Sequence, residues 1–169
     1  MISSPQAHIP ELEFSPTTST YTVYLVRFPL TLQDPDMPGP RYHTTLLVIT
    51  GPNCTGTIHH VTGDVTSAGG MRYTPRAHDA EETFHNFQKL GVTPKARYPT
   101  EWENLLGSLP TPPQQKAFNV KTMRTEPFKT RDPLMFYEAR EERKPLVKCT
   151  EWVVERAIPA LRNGGLLIE

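Results

Sequence analysis

From Tyr21 to Thr74 this chain carries one strand signal after another, each closed by a turn, and helical signals come only afterwards. That order limits the fold more than any other feature. Tyr21 to Phe28 is β-branched and aromatic, which suits a pleated surface. The stretch Asp34-Pro35-Asp36-Met37-Pro38-Gly39-Pro40 must be a loop, because its prolines remove backbone donors and break regular elements. Tyr42 to Ile49 reads as a second strand and Thr57 to Thr62 as a third, joined by a turn from Gly51 to Gly56 into a β-hairpin. Gly63-Asp64 ends it, and Gly70 to Thr74 is a shorter fourth strand. Strands first and helices after imply an α+β fold: an antiparallel sheet within residues 21–74, packed on helices.

The later elements are predicted as follows. Asp79 can cap a helix over Ala80 to Leu90, stopped at Gly91, with Phe84, Phe87 and Leu90 on one face. Thr100 and Glu103 fit a capping box that opens a short helix through Leu106 and ends at Gly107. Leu109 to Pro113 is a rigid connector, and Pro113 to Phe118 can form one helical turn. Residues 119–145 lack a clear period and are expected as a mobile loop, with Phe136 to Arg143 a solvated helix or an excursion. A C-terminal helix starts near Cys149, since Pro145 blocks an earlier start. Val153, Ala157 and Ala160 continue a stripe below Cys149. Pro159 should kink or end the last turn. Residues 1–20 are Ser/Thr/Pro-rich and read as a flexible N-terminal arm, leaving 21–169 as one domain.

Charge narrows the partners. Lys+Arg and Asp+Glu both number 18, so the formal net charge is zero. Nothing in that balance suggests a nucleic-acid surface or an anionic membrane patch. No apolar run is long enough to span a bilayer and no charged-then-apolar leader opens the chain, so a cytoplasmic protein with no integral membrane segment is the expectation. The two cysteines imply no disulfide framework. No phosphate loop or dinucleotide fingerprint occurs, and no cofactor is expected.

The candidate chemistry rests on Cys149, His43 and His60. A cysteine at a helix start faces the positive end of the helix dipole, which favours thiolate. A thiol nucleophile also needs a base and a group that orients the base. His43 begins one strand of the hairpin. His59 and His60 sit side by side on the next, so alternation sends them to opposite faces. We expect His60 inward on the far nitrogen of His43, His59 outward, and His43 within reach of Cys149. Cys54, in a turn, is expected to be neither catalytic nor disulfide-bonded. A non-catalytic role stays open, because a lone helical cysteine is commonly a small buried hydrophobe. So does a metal site, since Cys-His-His suits zinc, although no acid or second cysteine completes it.

In order and spacing these pieces resemble the circularly permuted papain-like thiol proteins, the superfamily of lecithin:retinol acyltransferase and the permuted NlpC-type peptidases. Tyr42-His43-Thr44-Thr45-Leu46-Leu47-Val48 is similar to the strand that carries the base there. Thr57-Ile58-His59-His60-Val61 looks like the strand of the orienting residue, and Lys148-Cys149-Thr150-Glu151-Trp152-Val153-Val154-Glu155 like the nucleophile helix. The resemblance covers residues 21–73 and 146–162. It implies a cysteine-dependent acyltransferase or hydrolase acting on an amide, ester or thioester of a small molecule, peptide or acyl group. The same resemblance admits a non-catalytic small-molecule or protein-binding module on the same fold. Lys148 departs from the Asn usual before the cysteine, and the membrane-anchoring tail of the lipid enzymes is missing. The overall texture also resembles small fungal proteins, which points to secondary metabolism.

Overall fold

The computed structural model describes residues 14–79 and 81–169. Ten strands are named in chain order: β1 Thr20–Pro29, β2 Tyr42–Ile49, β3 Gly56–His59, β4 Val61–Gly63, β5 Met71–Tyr73, β6 Arg76–His78, β7 Asn86–Pro94, β8 Lys116–Asn119, β9 Arg124–Thr130 and β10 Met135–Phe136. Helix α1 is Thr100–Ser108. Helix α2, Cys149–Trp152, runs through a wide π turn at Val153–Ala157 into α3, Ile158–Asn163. The main sheet is antiparallel, in the order β6-β3-β2-β1-β7. A second sheet has the order β10-β9-β8, and β4 pairs with β5. The fold is therefore α+β, with the helix that begins at Cys149 packed on the main sheet.

Strands β1 and β2 are buried on both faces, which is why they read as unbroken apolar runs. Alternation then builds two separate cores. Val23, Leu25, Leu46 and Val48 face the helices and meet Trp102, Trp152, Val153 and Leu161. Tyr24, Val26, Leu47 and Ile49 face the other way and meet Ile58, Phe84, Phe28 and Phe87. Full burial of each such side chain contributes about 1.5–3 kcal/mol. Trp102 is held in place by its indole N–H, which donates to the Thr93 hydroxyl at 2.8 Å.

Several expectations need correction. Residues 86–94 are strand β7 on the edge of the sheet beside β1, not the tail of a helix over 80–90; Ala80 itself lies outside the described residues. The three-residue aromatic spacing was satisfied by a bulge opposite Val23/Tyr24, which turns Phe87 towards the second core. Gly91 is no helix stop. It has φ +145°, and a Cβ there would lie 2.0 Å from the carbonyl oxygen of Ile168, which bridges to Val92. Helix α1 reaches Ser108 and starts after Pro99 with no side-chain cap, so the Thr100/Glu103 box does not form. Residues 116–119 form strand β8 rather than a helical turn. Residues 119–145, expected as a mobile loop, carry β9 and β10 of the second sheet. The strand predicted over 57–62 breaks at His60: β3 stays in the main sheet and β4 leaves to pair with β5. Of the expected arm, residues 1–13 lie outside the described residues, and Phe14 packs on the second core.

Pro159 does not end the last helix. It has no N–H to give to the preceding turn, and the helix widens just before it, so that the Ile158 N–H bonds to the Val153 carbonyl. The widened turn shifts the buried stripe from Ala160 to Leu161. At the sheet edge, Gly91→Ala is expected to cost roughly 1–3 kcal/mol, because it meets both a left-handed φ and the Ile168 backbone. A urea melt of the variant against the parent protein measures this, and an unchanged midpoint contradicts it.

Candidate functional site

The site begins with the break at His60. His43 Nε2 and His60 Nδ1 share a hydrogen bond of 2.8 Å. His43 pairs across the sheet with Phe28, and their ring centroids are 6.4 Å apart. Arg76 sits over the same Phe28 ring at 6.0 Å and pairs with Glu82 at 2.9 Å. Glu82 also accepts from His78 Nδ1 at 2.9 Å. Burial, then Arg76, pushes the His43 pKa down. Burial, then His43 and Arg76, takes His60 down to about 4. At neutral pH the pair is uncharged.

His59 is not outward. It is fully buried on the helix face of the sheet, opposite His60 as alternation demands. The Tyr73 and Tyr98 hydroxyls bond its two ring nitrogens at 2.7 and 2.8 Å, and Trp102 lies 5.1 Å away between centroids. Burial, then the neighbouring His60, lowers its pKa to about 3. It is a neutral core histidine satisfied at both nitrogens.

Cys149 belongs to the helix-face core with Leu46, Val48 and Trp152 and is 7% exposed. Its thiol points to the Tyr42 carbonyl, with Sγ to O at 3.8 Å. The Thr44 and Thr150 hydroxyls bond at 2.8 Å and fix the helix start on that same face. Tyr42 and Thr44 flank His43, so alternation along β2 sends the His43 ring to the other side, with Phe28 and Arg76. The structure thus brings His43 and His60 together and leaves Cys149 across the sheet from both. The Cys-His-His metal set is not gathered either, and among the described residues no cluster of three or more His, Cys, Asp or Glu side chains is placed to hold a metal. Cys54 is buried in the β2–β3 turn, at φ +58°, and forms no disulfide.

Sequence reasoning missed an ion network at the base of the Cys149 helix. Asp34 takes Lys116 at 2.9 Å and Lys148 at 2.6 Å; Asp36 takes Lys116 at 2.7 Å and Arg143 at 3.0 Å. Lys116 is 5% exposed and is held charged by these two acids against the burial that opposes it. Burial also opposes ionisation of Asp34, but hydrogen bonds from Lys148 and Lys116 outweigh it and lower its pKa to about 2. Beside this network Arg41 grips Glu151 at 2.7 Å, and the Glu151 carboxylate accepts the Lys148 backbone N–H at 2.9 Å. The Lys148 side chain has donors only and cannot cap the helix in return. The alternating acids of Asp34-Pro35-Asp36 were visible in the sequence, but their partners lie some eighty to about 115 residues away.

A cup of about 830 Å3 opens on the second sheet. Its apolar walls are Phe118, Val120, Leu134, Met135, Phe136 and Tyr137. Five of the exposed large hydrophobics cluster there or beside it: Phe118, Val120, Met123, Leu134 and Met135. Neither Cys149 nor either histidine of the pair lines it.

A model for a family of unknown function, DUF6540, matches residues 23–168. The chain belongs to that family. No curated protein and no solved structure matches it. The DUF6540 span takes in both cores, the histidine pair, Cys149 and the cup. Among the described residues, no helix is long and apolar enough to cross a membrane.

The ion network makes a two-part prediction. Asp34→Asn leaves the buried Lys116 charge to Asp36 alone and removes the acid paired with Lys148, and should cost about 3 kcal/mol at pH 7, read from urea melts. The folded pKa of Asp34 lies below its unfolded one, so its contribution is complete above about pH 4 and is lost as the pH falls towards about 2. The variant should therefore lose less stability than the parent protein over that interval; equal losses would refute the assignment.

Proposed function

We propose that the protein is a non-catalytic binding module whose ligand, a small apolar molecule or a short peptide segment, sits in the cup on the second sheet. The observation that carries this reading is the separation of parts: the thiol and the histidine pair occupy opposite faces of the main sheet, while the cup, with apolar walls and polar residues such as Asn119, Glu126 and Arg143 among its lining, lies elsewhere. A buried cysteine bonded to a backbone carbonyl acts as a core residue. An aromatic-walled cup of this volume is of the size that takes small ligands. The Asp34–Lys116–Lys148 network ties strand β8 to the main domain and so holds the cup in place.

A second reading, cysteine-dependent acyl transfer or hydrolysis on an amide, ester or thioester, draws on one specific observation. His43 and His60 meet through Nε2 and Nδ1, which leaves the other nitrogen of His43 for a thiol, and Cys149 opens a helix. That reading requires His43 to cross to the helix face.

Alkylation separates the two. In the binding module, iodoacetamide should modify Cys149 more slowly than an exposed cysteine, and His43→Ala should leave the rate unchanged. A fast rate that falls about tenfold or more in His43→Ala supports the thiol enzyme instead. For the cup, an apolar fluorescent probe such as 1-anilinonaphthalene-8-sulfonate should bind the parent protein at pH 7 saturably. Paired Phe118→Ser and Leu134→Ser substitutions should weaken it about fivefold or more, a loss of about 1 kcal/mol. Non-saturable binding, or equal binding by the variant, removes the cup from the proposal.

A further inference from the structure

The binding-module reading gives the histidine pair no part, yet both rings are held in place. His60 is 5% exposed and stands at the point where β3 leaves off and β4 turns away. Its carbonyl accepts the Thr74 N–H at 3.0 Å, so both its ends are tied. Its ring contact with His43 joins that break to the start of β2 and covers the end of the second core, where Phe28 meets Phe84 at 5.3 Å between centroids.

A nitrogen-to-nitrogen contact of 2.8 Å holds only with a single proton between the rings. Two neutral imidazoles satisfy this, one donating and one accepting. One added proton is also tolerated, because an imidazolium can donate to a neutral ring. A second added proton puts N–H against N–H, and the contact becomes a like-charge repulsion. The surroundings favour that failure. From β6 the Arg76 guanidinium faces both rings and opposes any positive charge on them. The acid that faces them is Glu82, and it is engaged by Arg76 and by His78.

We propose that the His43–His60 contact is an acid-sensitive latch, closed by one shared proton and opened when both rings become charged, so that Phe28 and the end of the second core are exposed to solvent. The direction of both shifts supports it: each ring is pushed below its ordinary value, so the latch stays shut at neutral pH. Folded pKa values below the unfolded ones mean that stability from the pair is complete above about 6.5 and declines as the pH falls towards about 4.

The test uses the whole protein carrying Phe118→Ser and Leu134→Ser, so that probe binding in the cup does not mask the signal. Fluorescence of 1-anilinonaphthalene-8-sulfonate is followed from pH 7 to pH 3.5, with far-ultraviolet circular dichroism beside it. The expected result is reversible dye binding with a midpoint between pH 4 and 5.5 while secondary structure persists. His60→Asn keeps an acceptor for the His43 N–H and cannot titrate, so it should move the midpoint down by about one pH unit or more. The same midpoint in His60→Asn overturns the proposal. If that variant fails to fold, proton NMR of the parent protein decides. Coupled titration of the His43 and His60 ring signals, both below 6.5, supports the latch, and independent titration near 6.5 overturns it.

Discussion

Strand β2 is buried on both faces, and that constraint orders everything around it. A strand with one wet face can place polar groups in water; here alternate residues must join one of two closed cores. Thr44, Leu46 and Val48 go to the helices, and His43, Thr45, Leu47 and Ile49 go to the opposite face. Each polar side chain sent inward has needed a partner, as desolvation requires. Thr44 finds Thr150, and Thr45 finds the Val26 carbonyl. His43 finds His60, and one residue earlier His59 finds two tyrosine hydroxyls. The histidines are thus parts of two cores before they are parts of any site.

The same constraint separates the thiol from the imidazoles. The helix that begins at Cys149 packs on one face because Trp152, Val153, Ala157 and Leu161 form its apolar stripe. Its first turn is fixed there by Thr150 and by the Glu151–Arg41 pair. The helix start still gathers backbone N–H groups near the sulfur, but the sulfur is closed in by the core and the Tyr42 carbonyl. The second sheet stands apart from this arrangement. It is attached through Lys116, whose buried charge is answered by Asp34 and Asp36, and through Gln115, whose amide exchanges hydrogen bonds with the Val147 backbone at 2.7 and 2.8 Å. A buried charge held by two acids is poor at adding stability and good at fixing one geometry. That geometry shapes the cup.

The legible parts of the fold were those with strong local signals. Strands β1 and β2, the Gly51–Gly56 turn and the helix start at Cys149 follow from β-branched runs, turn residues and Pro145. The failures share a cause, which is that local periodicity cannot see a bulge or a distant partner. Phe84, Phe87 and Leu90 keep a helical spacing, yet they belong to a bulged edge strand and the turn before it. The close approach of Ile168 to Gly91 explains that glycine, and nothing near Gly91 in the chain reveals it. Residues 119–145 showed no period because their strands are short, and their order comes from Lys116 and Arg143 reaching Asp34 and Asp36.

By itself, then, the order of residues determined the α+β class, the main hairpin and the place where the last helix begins. Those depend on alternation, turn chemistry and proline, which act over a few residues, and on a hairpin that joins neighbours in the chain. Tertiary structure alone decided which face each histidine occupies, whether Cys149 meets them, and where a cavity opens. These depend on the register of β2 against β1 and on which face the helix covers; the second is set by packing between residues about a hundred positions apart, such as Thr44 and Thr150. A shift of one residue in that register would have put His43 beneath Cys149, because strand neighbours face opposite ways.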